Sequence, residues 1–324
     1  MNKWLRRILG ATLSLGISAA AVAENSDWPT RPVTLIVIAG AGGGSDFTIR
    51  ALARELEAST GQRFNIVNQA QGAGVVGMTT YTNAKPDGYT LGQMSPFAQY
   101  RLLGQAEFTS ASFTPIAQFN ADPAAIHVAA GSRFKDVGQI IDVLKKDPAS
   151  LGISCGGTCN ASWDIPFVSM LMDQGVDVSR INLIPAAGSA AGLQEMVSGG
   201  LDIVLSSVPE ADALTQSHHV RTIAVINGER LEKYPGIPTV KEQLGKNFEG
   251  GTWRGLAGPA NMNPALVRQI EKAVKQAYDS DRFQTSMRQR GFGLKWRNSQ
   301  ELAAFMKDHE QQTQAVLKAT KRID

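Results

Sequence analysis

From residue 33 onward, short apolar runs alternate with longer stretches in which apolar positions recur three and four residues apart. Residues 33–39, Val-Thr-Leu-Ile-Val-Ile-Ala, form an almost unbroken apolar run, the pattern of a strand buried on both faces of a parallel sheet. The same reasoning predicts short strands at 64–68, 89–94, 124–129, 151–154, 181–184, 201–205 and 221–226. Helices are predicted at 137–146, 165–173, 192–198, 264–278 and 299–318. Another opens near Ser45 or Asp46, either of which can cap it, and turns Phe47, Leu52, Ala53 and Leu56 inward. Strands alternating with helices predict an α/β fold built on parallel sheets. The sequence has no internal repeat, low-complexity tract or long polar linker, so separate lobes must be joined by short crossings.

The first 23 residues break this pattern. Lys3, Arg6 and Arg7 form a positive start, residues 8–22 are apolar, and Ala21-Val22-Ala23 offers a small-x-small cleavage site. That is the layout of a secretory signal peptide. The apolar run, about 15 residues, is shorter than the roughly 20 a membrane-spanning helix needs. Cleavage after Ala23 predicts an exported, periplasmic chain and leaves 301 of the 324 residues, enough to split into two lobes. It also removes the apparent basicity. The 32 Lys+Arg lose three members, leaving 29 against 29 Asp+Glu, which argues against a nucleic-acid-binding surface. Cys155 and Cys159 are the only cysteines; in an oxidising compartment a disulfide is the expected state, with two buried thiols as the alternative.

Candidate chemistry lies in three loops that each follow a strand and open a helix: Ala41-Gly42-Gly43-Gly44-Ser45-Asp46, Cys155-Gly156-Gly157-Thr158-Cys159-Asn160, and Pro185-Ala186-Ala187-Gly188-Ser189. Each offers unpaired backbone amides and a helix's positive end. Glycine lets such a backbone come close to a ligand. Three loops at the carboxyl edge of a sheet suit an anion. Other chemistry lacks support. No lysine follows Gly44 as a nucleotide-binding P-loop requires, and there is no G-x-S-x-G elbow or H-E-x-x-H pair. Of the four histidines, His127 sits in an apolar strand, His218 and His219 in a polar stretch, and His309 in the last helix. Neither a metal nor a cofactor is expected.

Ordered motifs along the chain carry a resemblance. They include Trp28-Pro29-x-Arg31-Pro32-Val33, Ala41-Gly42-Gly43-x-x-Asp46 with Arg50, and Asn68-x-x-x-Gly72-Ala73-Gly74-x-x-Gly77. Lys85-Pro86-Asp87-Gly88-Tyr89, Phe113-Thr114-Pro115-Ile116-Ala117, Pro185-x-x-Gly188-Ser189-Ala190 and Gly200-x-Asp202 follow. Pro235-Gly236-Ile237-Pro238-Thr239-Val240, Trp253-x-Gly255-Leu256 and Gly258-Pro259-Ala260 complete the set. The chain resembles the Bug family, periplasmic solute-binding receptors of tripartite tricarboxylate transporters. The resemblance implies a two-lobed type II periplasmic binding fold that captures a small carboxylate for membrane components of such a transporter. It implies a monomeric receptor and not an enzyme. A sensor module presenting the ligand to a signalling kinase is an alternative on the same fold, and a periplasmic hydrolase using Ser45 or Ser189 is a more distant one.

Lobe 1 is expected at 24–121 and 228–324, lobe 2 at 122–227. Carried over from the family, the ligand site comprises Ala41, Gly42, Gly43, Gly44, Ser45 and Asp46, with Asp46 shaping the loop as a helix cap, and Gly156, Gly157, Thr158 and Asn160. Ser95, Pro96, Pro185, Ala187, Gly188, Ser206 and Ser207 line the rest. Trp253 is either a cleft wall or core. Arg254 is either a partner for the ligand carboxylate or part of a surface or inter-lobe salt bridge. Family members often carry bulk or charge where this chain has Ala39-Gly40, Ala161, Ala186-Ala187 and Ser206. These departures point to a ligand bulkier or less polar than the usual small dicarboxylates.

Overall fold

The computed structural model describes residues 28–324; the expected export signal and its cleavage site lie outside the described residues. Strands β1 (Val33–Val37), β2 (Phe64–Asn68), β3 (Thr90–Met94) and β4 (Phe113–Pro123) belong to a first sheet. Strands β5 (Ala125–Ala129), β6 (Gly152–Ser154), β7 (Asn182–Ile184), β8 (Ile203–Ser206) and β9 (Val220–Val225) make a second. Strands β10 (Gly251–Pro259) and β11 (Leu294–Arg297) return to the first. The spatial orders are β11-β4-β10-β3-β1-β2 and β7-β6-β8-β5-β9.

Each sheet is mixed. In the first, β1 runs parallel to β2 and β3, while β10 lies antiparallel between β3 and β4. In the second, β6 is parallel to β7 and β8, while β5 lies antiparallel between β8 and β9. The inner parallel strands β1, β3, β6 and β8 are mostly buried and carry apolar runs, whereas the edge strands β2 and β7 are partly exposed. The long antiparallel pair β4–β10 is less apolar: Gln118, Asn120, Asp122 and Arg254 are all buried in it. Arg254 stands opposite Asn120, and the register slips between Arg254 and Gly255. Such a bulge re-aims a side chain.

The chain leaves the first sheet at Pro123 and enters the second at Ala125. Between them Ala124 donates to Gly250 O at 2.8 Å and accepts from Ile226 N at 2.7 Å. The segment after β9 stays with the second sheet. Leu231, Tyr234 and Ile237 pack against Ala125, Val208 and Val225, while Val240, Leu244 and Phe248 join the cluster that includes Phe167 and Ile203. Among the described residues, no helix is long and apolar enough to cross a membrane.

Phe167 and Phe283 are fully buried in different clusters, one on each sheet. Phe167→Ala and Phe283→Ala should each cost about 3–5 kcal/mol of stability, the usual range for emptying a core aromatic site. Because the clusters share no members, the double variant should show the sum to within about 0.5 kcal/mol in urea unfolding. A clear departure from additivity would contradict two separate cores.

Candidate functional site

The first loop was expected to be capped by Ser45 or Asp46. Instead the cap lies two residues before Ser45: the helix runs Gly44–Thr60, with Gly43 as its N-cap and no side-chain cap from within the loop. Asp46 braces the loop: its Oδ2 accepts from Gly42 N at 3.1 Å and its Oδ1 from Arg50 Nε at 2.8 Å. Those bonds, that with Gly42 among them, hold its carboxyl below the usual range against the opposing effect of burial. The first amide of the helix, Gly44 N, is buried and donates at 2.8 Å to Glu210 Oε1, a residue of the second sheet's side. A Cβ at Gly44 would lie 2.4 Å from that oxygen, so only glycine admits the carboxylate.

Glu210 is held from every side. Its Oε1 also accepts from Arg254 Nη2 at 3.0 Å. Its Oε2 accepts from Ser189 Oγ at 2.9 Å and from Ser207 N and Oγ, both at 3.2 Å. The Ser207 contacts form a capping box at the start of the helix Val208–Gln216, which fixes the side chain's direction. Arg254 reaches across with its other nitrogens, donating through Nη1 to Asp122 Oδ2 and Asn120 Oδ1, each at 2.6 Å, and through Nε to Ser45 Oγ at 3.2 Å. The three charged side chains are 2 %, 4 % and 2 % exposed for Arg254, Glu210 and Asp122. Burial pushes the Asp122 carboxyl upward, against the pull of Arg254 and the Gly293 amide. The guanidinium lies between the rings of Trp163, 5.9 Å away, and Phe292, 5.7 Å away. Of the two readings of Arg254, the salt bridge between the sheets' two sides is the one seen.

Above this cluster lies a cleft of about 330 Å³ between the two sides. The first loop contributes Ala41, Gly43, Gly44 and Ser45; Ser95, Pro96 and Arg254 come from the same side. The second and third loops contribute Gly156, Gly157, Thr158, Ala187 and Gly188. Direct bonds tie the rims: Gly40 N donates to Ala187 O at 2.9 Å and Thr158 Oγ1 to Ala73 O at 2.7 Å, while Tyr100 Oη, on the same side as Ala73, donates to that oxygen at 2.6 Å and lies 3.3 Å from Thr158 Oγ1. Burial raises the Tyr100 pKa, which keeps the phenol a donor.

The second loop is shaped by two constraints. Cys155 and Cys159 are joined by a disulfide. Gly156 has φ 61°, and a Cβ there would lie 2.0 Å from Leu205 O, so the loop can pass over β8 only with glycine. Behind it Asp164 accepts from Asn160 N at 2.6 Å and Ala161 N at 3.1 Å. Burial outweighs those bonds and pushes its carboxyl up to about 6.

The remaining expected residues do not line the cleft. Gly42 and Asp46 are turned into the first loop's own bracing, and Asn160, at φ 59°, is tied down by Asp164. Pro185 lies outside the lining. Ser206 is fully buried with its hydroxyl on Ser207 O, and Ser207 is spent on the helix cap. Trp253 packs edge-on against Phe305 and His309 and borders a second cavity of about 630 Å³, which shares Ala161, Ser162 and Thr252 with the cleft. Residues missed in the sequence include Tyr100, Trp163 and above all Glu210. His127, fully buried, and His309, partly buried, are shifted down to about 4 by loss of solvation and stay neutral.

A family model described as "Tripartite tricarboxylate transporter family receptor" matches residues 48–321. The chain belongs to this receptor family. Among relatives, a UPF0065 protein of Bordetella pertussis is 28 % identical over 94 % of this chain and 93 % of its own length. Two solved structures from Rhodopseudomonas palustris share the fold: Rpa4515 with adipate (TM-score 0.82, 23 % identity, 91 % and 99 % of the two chains) and MatC with bound malate (TM-score 0.81, 23 % identity, 90 % and 100 %). The two sides described above are therefore the lobes of a periplasmic binding fold, and the receptor family's cleft is the space between them.

Two outcomes are expected. Arg254→Met leaves two buried carboxylates without their cation and should lower stability by about 3–5 kcal/mol in urea unfolding. A loss below about 1 kcal/mol would contradict the cluster's role. Asp164 binds its proton more tightly folded than unfolded, so its contribution falls as pH rises from about 4 to about 6, by roughly 3 kcal/mol on linkage grounds. Asp164→Asn should remove that fall. An unchanged pH profile would rule out the buried carboxyl as its source.

Proposed function

We propose that this receptor captures a carboxylate-bearing solute in the cleft between its lobes and presents it, as a monomer, to the membrane components of its transporter. The carrying observation is a set of backbone amides at the cleft wall. Those of Gly157, Thr158, Ala187 and Gly188 donate to no protein acceptor among the described residues, and all four residues line the space. Amides at strand ends and helix starts bind carboxylates well, because the donors are fixed beforehand and the helix dipole adds to them. The adipate and malate in the two Rhodopseudomonas structures fit the same ligand class. All of these groups come from one chain, which supports action as a monomer. Export follows from the family's periplasmic setting and the expected cleavage after Ala23.

Lobe 2 is best taken as residues 124–250, not 122–227, since residues 231–248 pack on the second sheet. The hinge then comprises the adjacent crossings at 123–125 and 250–251, tied by the Ala124–Gly250 bond. A ligand touching both lobes favours the closed form by its better contacts there.

A true ligand should raise the melting temperature in proportion to the logarithm of its concentration, reaching about 2.7 kcal/mol of stabilisation at a hundred times Kd. Gly157 has ordinary φ and nothing within 4 Å of a built Cβ. Gly157→Leu should therefore fold normally and abolish the shift in differential scanning fluorimetry with a carboxylate panel. A full shift in that variant would remove the second loop from the site.

A further inference from the structure

We propose that Glu210 makes this receptor selective for monocarboxylates, by filling with its own carboxylate the part of the cleft that a ligand's second carboxylate would need. The inference rests on the carboxylate-binding reading above and narrows it.

The donors at the first-loop end of the cleft are already used. Gly44 N and Arg254 Nη2 both point at Glu210 Oε1, and Ser189 Oγ points at Oε2. These would be natural receivers of a second ligand carboxylate: a helix-start amide, a guanidinium and a hydroxyl. Arg254 and Glu210 are the charged residues lining the cleft, and the guanidinium is shared between Glu210 and Asp122. The buried cluster thus holds two acids to one base. A dianionic ligand would bring a further negative charge to within a few ångströms of this excess, in a site shielded from water where repulsion is strong.

Glu210 does not solicit a cation either. Both its oxygens are filled by the donors named above, and its side chain is nearly inaccessible. The neighbouring wall is small and apolar, with Ala39, Ala41, Ala186, Ala190 and the Trp163 ring. The uncommitted amides of the second and third loops can receive one carboxylate, and the rest of the ligand meets uncharged surface, in part apolar and in part hydroxyl- and amide-bearing, as at Ser95, Gln99 and Thr252. The matching chemistry is a monocarboxylate with an uncharged body.

Isothermal titration calorimetry of length-matched pairs tests this: butanoate against succinate, hexanoate against adipate, octanoate against suberate. For the pair that fits best, the wild type should bind the monocarboxylate at least tenfold more tightly. Glu210→Ala, which frees Gly44 N and Arg254, should narrow that ratio at least tenfold through tighter binding of the dicarboxylate. Glu210→Gln, which removes charge but keeps volume, should fall between and serves alone if the alanine variant does not fold. Equal or tighter dicarboxylate binding by the wild type, or a ratio unchanged in the variants, would overturn the inference. If no member of any pair binds folded wild type or variant, the carboxylate reading itself fails and takes this inference with it.

Discussion

A guanidinium almost wholly removed from water cannot stand without partners, and the arrangement of both lobes follows from how Arg254 obtains them. Three oxygens from its own lobe, those of Asp122, Asn120 and Ser45, take part of its donor capacity. The remainder goes to Glu210 in the other lobe, and Glu210 in turn closes the helix that starts at Gly44. One ion pair therefore joins β4 and β10, the first glycine-rich loop and the second lobe. The bulge beside Arg254, the glycine at 44 and the capping box at Ser207 each serve its geometry.

The proposed opening of the lobes would part Arg254 from Glu210 and take the acceptor from Gly44 N, so these bonds belong to the closed form alone. A ligand shifts the equilibrium only by the difference in its affinity for the two forms. In the proposed reading, a receptor that already holds its lobes by an internal carboxylate asks less of the guest at that end of the cleft and more at the amides of the second and third loops. The rim bond of Ala73 with Thr158 belongs to the same clasp.

The parallel strands were legible because burial on both faces leaves a continuous apolar signature, as in β1. The first and second glycine-rich loops were legible for a similar reason, since close approach at Gly44 and Gly156 excludes other residues. Strands β4 and β10 were not, because they carry buried polar residues: Gln118, Asn120 and Asp122 in one, Arg254 in the other. A strand whose polar groups pair with each other in the interior looks, in one dimension, like a solvated loop. Glu210 shows the same limit. Ser207-Val208-Pro209-Glu210 reads as a capping box at a helix start, and it is one. Its reach across the cleft to Gly44 and Arg254 depends on the packing of one lobe against the other, which no local pattern encodes. Ser206 and Ser207 were placed in the cleft on resemblance, but the strand's alternation and the helix cap turn them away from it.

The most direct measurement is a crystal structure of the receptor with its tightest-binding carboxylate. The ligand's carboxylate oxygens should lie within hydrogen-bond distance of amides drawn from Gly157, Thr158, Ala187 and Gly188, with Glu210 still on Gly44 N and Arg254. A ligand carboxylate seated on Arg254 with Glu210 displaced, or a ligand bound outside the cleft, would contradict it.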